Sequence, residues 1–186
     1  LGQAGSGEAS VYLLDDRDPA AGAGRRSRST DFTDRNNRHR LSLYHSVNLR
    51  PDFTAKLLLQ EQSDAFVNRD FFENQFRRNP QPASRIELAK HWRNFSVSLL
   101  AQPRVDDFYQ TVERLPEIRV TGLRQRLGTT PVFYESETTV GHFRFRPADT
   151  DLGLYDYEAF RADTHQQLLL PRTYFGWLNV TPHAGV

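Results

Sequence analysis

The chain has no cysteine and no methionine among its 186 residues, and only two tryptophans. Without cysteine there is no disulfide framework, no thiolate nucleophile and no thiolate metal site. Long apolar runs are missing as well. Leu57-Leu58-Leu59 and Leu168-Leu169-Leu170 are typical of the longest, whereas a membrane-spanning helix needs about 18 or more consecutive apolar residues. With a mean hydropathy of −0.66, a bundle of membrane helices is excluded. That exclusion does not reach strands, since a transmembrane strand uses about 9–11 residues with only every second one facing lipid. An excess of one charge is also lacking: 24 basic residues against 23 acidic give a net charge of +1. Such a balance does not call for nucleic acid as a partner. The chain starts at Leu1 without a signal peptide, as expected of a processed protein or an internal piece of a longer one.

What is present is alternation. Residues Val112 to Tyr134 read as a long alternating strand, a Gly/Thr/Pro turn and the start of a second strand that continues to Arg146. There Tyr134, Ser136, Thr138 and Val140 oppose Phe133, Glu135, Glu137, Thr139 and Phe143. The segment from Arg40 places Leu41, Leu43, Val47 and Leu49 on one face. After the turn Arg50-Pro51-Asp52 the return strand places Phe53, Ala55, Leu57 and Leu59 together, an antiparallel hairpin. Ser84 to Arg93 and Phe95 to Gln102 form a second hairpin around Arg93-Asn94, with Ile86, Leu88, Lys90 and Trp92 on one side of its first strand. Further strands are expected at Glu8–Leu14, Gln167–Leu170 and Tyr174–Val186.

Three polar stretches interrupt the pattern. Asp15 to Arg38 is Gly-rich and carries Arg25-Arg26-Ser27-Arg28; the flanking Asp15, Asp16, Asp31 and Asp34 favour a solvated mixed-charge loop over a nucleic-acid patch. Ser63 to Pro82 spaces Phe66, Phe71, Phe72 and Phe76 as on a short amphipathic helix, with Asp64 available to cap it. Pro147 to Thr164, acidic and aromatic, reads as a third loop. Short turns therefore alternate with long loops, as in outer-membrane barrels. A soluble β-sandwich with long loops shares the same strand pattern.

No catalytic constellation emerges, and the chain is expected not to be an enzyme. The six histidines lie far apart in sequence without i, i+2 or i, i+4 partners, which favours ordinary histidines over metal ligands. Asp106-Asp107 and Glu135/Glu137 have no defined separation that marks a glycosidase pair. Gly2, Gly5 and Gly7 lack the lysine and helix of a phosphate loop. Trp92, Tyr109, Phe133, Tyr134, Phe143, Tyr174, Phe175 and Trp177 suit an interfacial girdle, or equally a sandwich core.

Three stretches carry a more specific likeness. They are Arg38 to Phe72 (a hairpin followed by a Ser-Asp…Asp-Phe-Phe loop), Asp106 to Val120 (with Arg-Leu-Pro-Glu leading into a strand) and Tyr174 to Val186 (a strand with Thr-Pro near its centre). Together they resemble the C-terminal barrel of the LptD (OstA, organic-solvent-tolerance) family of LPS-assembly proteins. The resemblance implies an all-β antiparallel meander, with residues 1–186 forming a segment of one transmembrane β-barrel in the cell outer membrane. It implies lipopolysaccharide and outer-membrane lipid as ligands, and a plug lipoprotein and a periplasmic LPS-bridge protein as partners. No cofactor, metal or nucleic acid enters. A proline inside a strand removes a ladder hydrogen bond, so Pro116 and Pro182 are candidates for weakening a strand seam, or else they sit at strand ends. Lys56, Lys90, Arg119 and Arg124 are candidates for lumen or phosphate contacts. A carbohydrate-binding sandwich and a generic porin-like barrel are the alternatives.

Overall fold

In the computed structural model, which describes residues 5–17, 37–149 and 153–186, every long strand pairs antiparallel with its neighbour in the chain. The strands are β1 (Ser6–Asp15), β2 (Asn37–Arg50), β3 (Phe53–Gln62), β4 (Arg85–His91), β5 (Phe95–Gln102), β6 (Thr111–Arg126), β7 (Phe133–Arg146) and β8 (Tyr157–Leu169). The short β9 (Arg172–Tyr174) and β10 (Leu178–Val180) pair only with each other, and β11 (His183–Gly185) joins the far edge of β8. Two short helices, α1 (Val67–Phe71) and α2 (Glu73–Arg78), lie between β3 and β4. The result is an all-β, nine-stranded meander sheet in the order β1-β2-β3-β4-β5-β6-β7-β8-β11.

Turn chemistry sets the hairpins. Pro51 and Asp52 close β2–β3, with proline supplying the fixed φ of a turn. Between β6 and β7, Gly128 adopts a φ of +58°, and Thr130 donates both its N–H (3.1 Å) and its hydroxyl (2.7 Å) to the Leu127 carbonyl. β4 and β5 have seven and eight residues, fewer than the about 9–11 of a tilted spanning strand. Pairing continues just past them: the Trp92 N–H bonds the Phe95 carbonyl, and Ser84 both donates to and accepts from the Gln60 backbone.

A meander places alternate connections at opposite ends. At one end the links are two, three and six residues long (51–52, 92–94, 127–132), together with 170–182, which carries the β9–β10 hairpin. At the other end lie the links 63–84 and 103–110, together with the end of β1, the start of β2, the end of β7 and the start of β8. Of the loop expected from Asp15 to Arg38, residues 18–36, including Arg25–Arg28, fall outside the described residues.

Three expectations need correction. The loop expected through Thr164 ends much earlier, because β8 begins at Tyr157. Its alternation (Phe160, Ala162 and Thr164 against Ala159, Arg161 and Asp163) is hidden because charged residues fall on both sides, Glu158 on one and Arg161 and Asp163 on the other. Tyr174–Val186 is not one strand. The chain turns at Phe175 and Gly176, both at positive φ, so Thr181-Pro182 falls between β10 and β11. The single helix expected in Ser63–Pro82 is two short ones, broken at Phe72.

Among the described residues only Val67, Ala148 and Leu169 are buried hydrophobics. Among the described residues the nine-stranded sheet has no apolar core of its own, and no second sheet covers it.

Candidate functional site

Residues directly opposite in an antiparallel ladder share a face, so the register sorts every strand residue. One cross-strand row runs Val47–Ala55–Leu88–Leu99–Ile118–Val140–Ala162, seven strands wide and wholly apolar. The same face carries Val11 with Leu41, Ala9 with Leu43 and Leu59, Leu57 with Ile86, and Val97 with Val120. It is open to the surroundings: Val11, Leu13, Ile86, Leu99 and Ile118 are between 38% and 76% exposed. At the short-turn end the face closes in aromatics. Trp92 and Phe95 stack 4.7 Å apart, the Lys90 ammonium lies 5.2 Å from the Trp92 ring, and Tyr134 pairs across to Leu168.

The opposite face is polar. Its rows read Asn48–Thr54–Ala89–Ser98–Arg119–Thr139–Asp163 and Ser46–Lys56–Glu87–Leu100–Glu117–Gly141–Arg161. Arg119 lies 3.5 Å from Glu117 and 3.6 Å from Glu137, and Arg124 pairs with Glu135. Near the long-loop end this face becomes aromatic, with Phe145 stacked on Tyr157 and the Phe143 ring over Gly141, where a Cβ would meet it at 2.9 Å. An aromatic ring laid over a strand glycine covers the gap left by the missing side chain.

The longer links form a cap held by charge. The Arg38 guanidinium, 2% exposed, donates to Asp16 (2.9 Å), to both carboxylate oxygens of Asp64 (2.9 and 3.0 Å) and to Asp70 (3.1 Å). This ties the end of β1, β2 and the helical link together. Tyr12 packs against Phe71 and Phe72, and the Arg40 guanidinium sits 4.5 Å from the Phe72 ring, so the helices lie against the polar face. Gln62 reaches into the next link, its N–H on Asp106 (3.3 Å) and its amide on the Tyr109 hydroxyl (2.7 Å). Arg104 continues the chain of contacts to the carbonyls of Asp106, Asp107 and Pro147 and to the Asp149 carboxylate, while Glu113 accepts its backbone N–H at 2.8 Å. Arg38 and Arg104, each bonded to several acceptors, fix the link geometry, while the Gln62 Oε1 stays buried without a partner.

Charge states in the cap follow from burial and partners. Burial alone would raise the Asp64 carboxyl, but hydrogen bonds from Arg38 and the Phe66 N–H hold it below the usual range. Burial pushes the Asp106 carboxyl up to about 6, with Glu61 and Asp107 adding to the rise and the Gln62 N–H and His39 offsetting only part of it. Burial raises the Tyr109 phenol to about 12. A small cavity of about 20 Å³ lies between Gln60, Ser84, Arg104, Asp106 and Tyr109, room for one water.

No protein-family model matches the chain, and no curated protein does.

The residues picked from sequence separate cleanly. Lys56, Arg119 and Arg124 belong to the polar face; Lys90 pairs across to Phe53 and Val97 on the apolar face and lies 3.5 Å from Asp52 at its rim. Pro116 sits inside β6, where the register to β7 shifts between Arg114 and Glu117 and that to β5 shifts between Leu100 and Gln102. A bulge is where a strand admits proline. Pro182 interrupts no strand; its carbonyl accepts the Leu170 N–H at 2.9 Å. Glu135 and Glu137 are each engaged by arginine, and among the described residues no three His, Asp or Glu side chains gather as metal ligands would. Sequence reading missed Arg38 and Arg104, which hold the cap. The available signal was an arginine at a strand end facing several aspartates across long loops, a pattern that fixes no pairing until the fold is known.

Proposed function

We propose that this sheet is part of the wall of an outer-membrane β-barrel, the apolar face turned to lipid and the polar face to a hydrated lumen. The observation that carries this is the seven-strand apolar row on a face that nothing among the described residues covers. A monomer in water rarely exposes an apolar surface that extensive, whereas lipid-facing and lumen-facing residues must alternate in a barrel wall. The two-, three- and six-residue turns all fall at one end, which supports the same reading, although the longer 170–182 link lies there too. The β-sandwich reading lacks a second layer among the described residues.

Within that frame, the resemblance of Arg38–Phe72 and Asp106–Val120 to the LPS-assembly family supports a role in inserting lipopolysaccharide into the outer leaflet. Transport of this kind needs no nucleophile. It needs a polar path for sugar and phosphate, and Lys56, Arg119 and Arg124 line the face that would supply one. Outer-membrane lipid covers the other face, and a plug lipoprotein and a periplasmic LPS-bridge protein are the proposed partners. Pro116, at its double register shift, is the one proline placed to loosen a strand pair.

The test is depletion of the protein in its own cell. Outer-membrane fractionation, heat-modifiable migration and retention of new lipopolysaccharide below the surface are expected together. A heat-modifiable outer-membrane protein whose loss leaves lipopolysaccharide at the surface unchanged would reduce the reading to a porin-like barrel. A water-soluble monomer would end it.

A further inference from the structure

The β9–β10 hairpin belongs to neither face of the large sheet. It projects from the β8–β11 link at the short-turn end, and every residue from Pro171 to Val186 is exposed. Phe175 is 85% and Trp177 74% exposed, with Tyr174 at 49% beside them. The turn makes this tip more notable. Its two central residues, Phe175 and Gly176, have φ of +54° and +76°, and the Trp177 N–H bonds the Tyr174 carbonyl at 3.2 Å. β-turns with positive φ at both central residues favour Asn-Gly or Asp-Gly, because a bulky residue at positive φ is strained. Here a phenyl ring occupies the strained position and points into solvent, so neither the turn nor packing within the chain accounts for it.

Charge adds a second, independent observation. From Thr164 to Val186 there is no acidic residue, although the chain has 23, and the hairpin carries Arg172. Aromatic rings at a tip, one cation and no carboxylate suit the boundary between lipid headgroups and acyl chains. The hairpin also lies at the end of the sheet where Trp92, Phe95 and Tyr134 already rim the apolar face.

We propose that the β9–β10 hairpin is a membrane-interface anchor, in which Phe175, Trp177 and Tyr174 enter the headgroup region of the leaflet on the short-turn side. This rests on the barrel-wall reading, and the test separates the two. Because the chain has only two tryptophans, Trp92→Phe leaves Trp177 as the sole indole and Trp177→Phe leaves Trp92. Each variant of the full chain is folded into phosphatidylcholine/phosphatidylglycerol vesicles containing lipid brominated near the headgroup end of the acyl chain. Iodide in the water is the opposing quencher.

Both indoles are expected to be quenched by brominated lipid and protected from iodide. In the Trp92→Phe background, Phe175→Asn relieves the turn yet removes a ring, and lipid partition of the hairpin should fall about five- to tenfold. If Trp92 is quenched by lipid while Trp177 answers only to iodide, the anchor is refuted and the wall stands. If Trp92 is not quenched, the wall reading falls and takes the anchor with it. Unchanged quenching in Phe175→Asn also overturns the anchor, since circular dichroism will show whether the sheet has folded.

Discussion

Replacing Leu99 by arginine tests directly what covers the apolar face. Leu99 sits in β5 between Leu88 and Ile118 in the seven-strand row, with 38% of its surface open. If that opening faces water, Leu99→Arg exchanges one exposed side chain for another, and stability moves by no more than about 0.5 kcal/mol. If it faces acyl chains, a lipid-facing arginine near the bilayer midplane costs about 2–4 kcal/mol, or roughly 30- to 900-fold in the folded-to-unfolded ratio. Ser96→Arg is the matched control, because Ser96 lies on the polar face opposite His91 and Thr121 and should cost within about 0.5 kcal/mol in either case. Urea titration of the protein folded into vesicles, followed by heat-modifiable migration, reads both variants. Equal midpoints for Leu99→Arg and Ser96→Arg would refute the lipid assignment of the face.

The remaining predictions concern the loop cap and the bulge. Arg38→Ala strands carboxylates that its guanidinium now satisfies and should destabilise the cap by about 3–5 kcal/mol, seen as faster proteolysis within 63–84; no change in cleavage would contradict the network. Asp106 has its pKa raised to about 6 in the folded cap, against about 3.9 unfolded. The folded state therefore binds the extra proton between those values, and the cap gains stability as pH falls from 8 to 5. The gain has a ceiling of about 3 kcal/mol; Asp106→Asn should flatten the dependence in hydrogen exchange of the Gln62 N–H. Pro116→Ala restores one N–H where the register is already broken on both sides, so stability should change by less than about 1 kcal/mol, whereas a proline set in a continuous ladder would yield more.

Much of the sheet could be read from period-two alternation, because one face meets water and the other does not. Leu41/Leu43/Val47, Ala55/Leu57/Leu59 and Val97/Leu99/Ala101 each fall on the apolar side that the register assigns them. The failures have a common cause. In β8 both sides carry polar residues toward the long-loop end, with Glu158 on the same side as Phe160 and Arg161 on the other, so the contrast that reveals a strand vanishes. In Tyr174–Val186 the positive φ falls on a phenylalanine, and no propensity rule places a turn there. Alternation alone already set Lys90 beside Ile86, Leu88 and Trp92, and its pairing with Phe53 and Val97 keeps it at the apolar rim. The cap was the least legible part. Arg38 meets Asp64 and Asp70 across 26 and 32 residues, partners that only the fold brings together.

Because each strand from β2 to β8 pairs with its predecessor in the chain, the sheet can assemble without threading. Three of its hairpins, β2–β3, β4–β5 and β6–β7, close over two, three and six residues, whereas joining β1 to β2 and β3 to β4 means closing loops of more than 20. Loop closure grows less favourable by about 0.6 kcal/mol for each doubling in length, so the short hairpins have the advantage as first-formed units. The Arg38 bond to Asp16 spans the first of those joins, and Arg104 reaches Pro147 across the β6–β7 hairpin. The first needs β1 already beside β2 and the second needs β5 already beside the β6–β7 hairpin, which makes these contacts the seal on assembly rather than its seed.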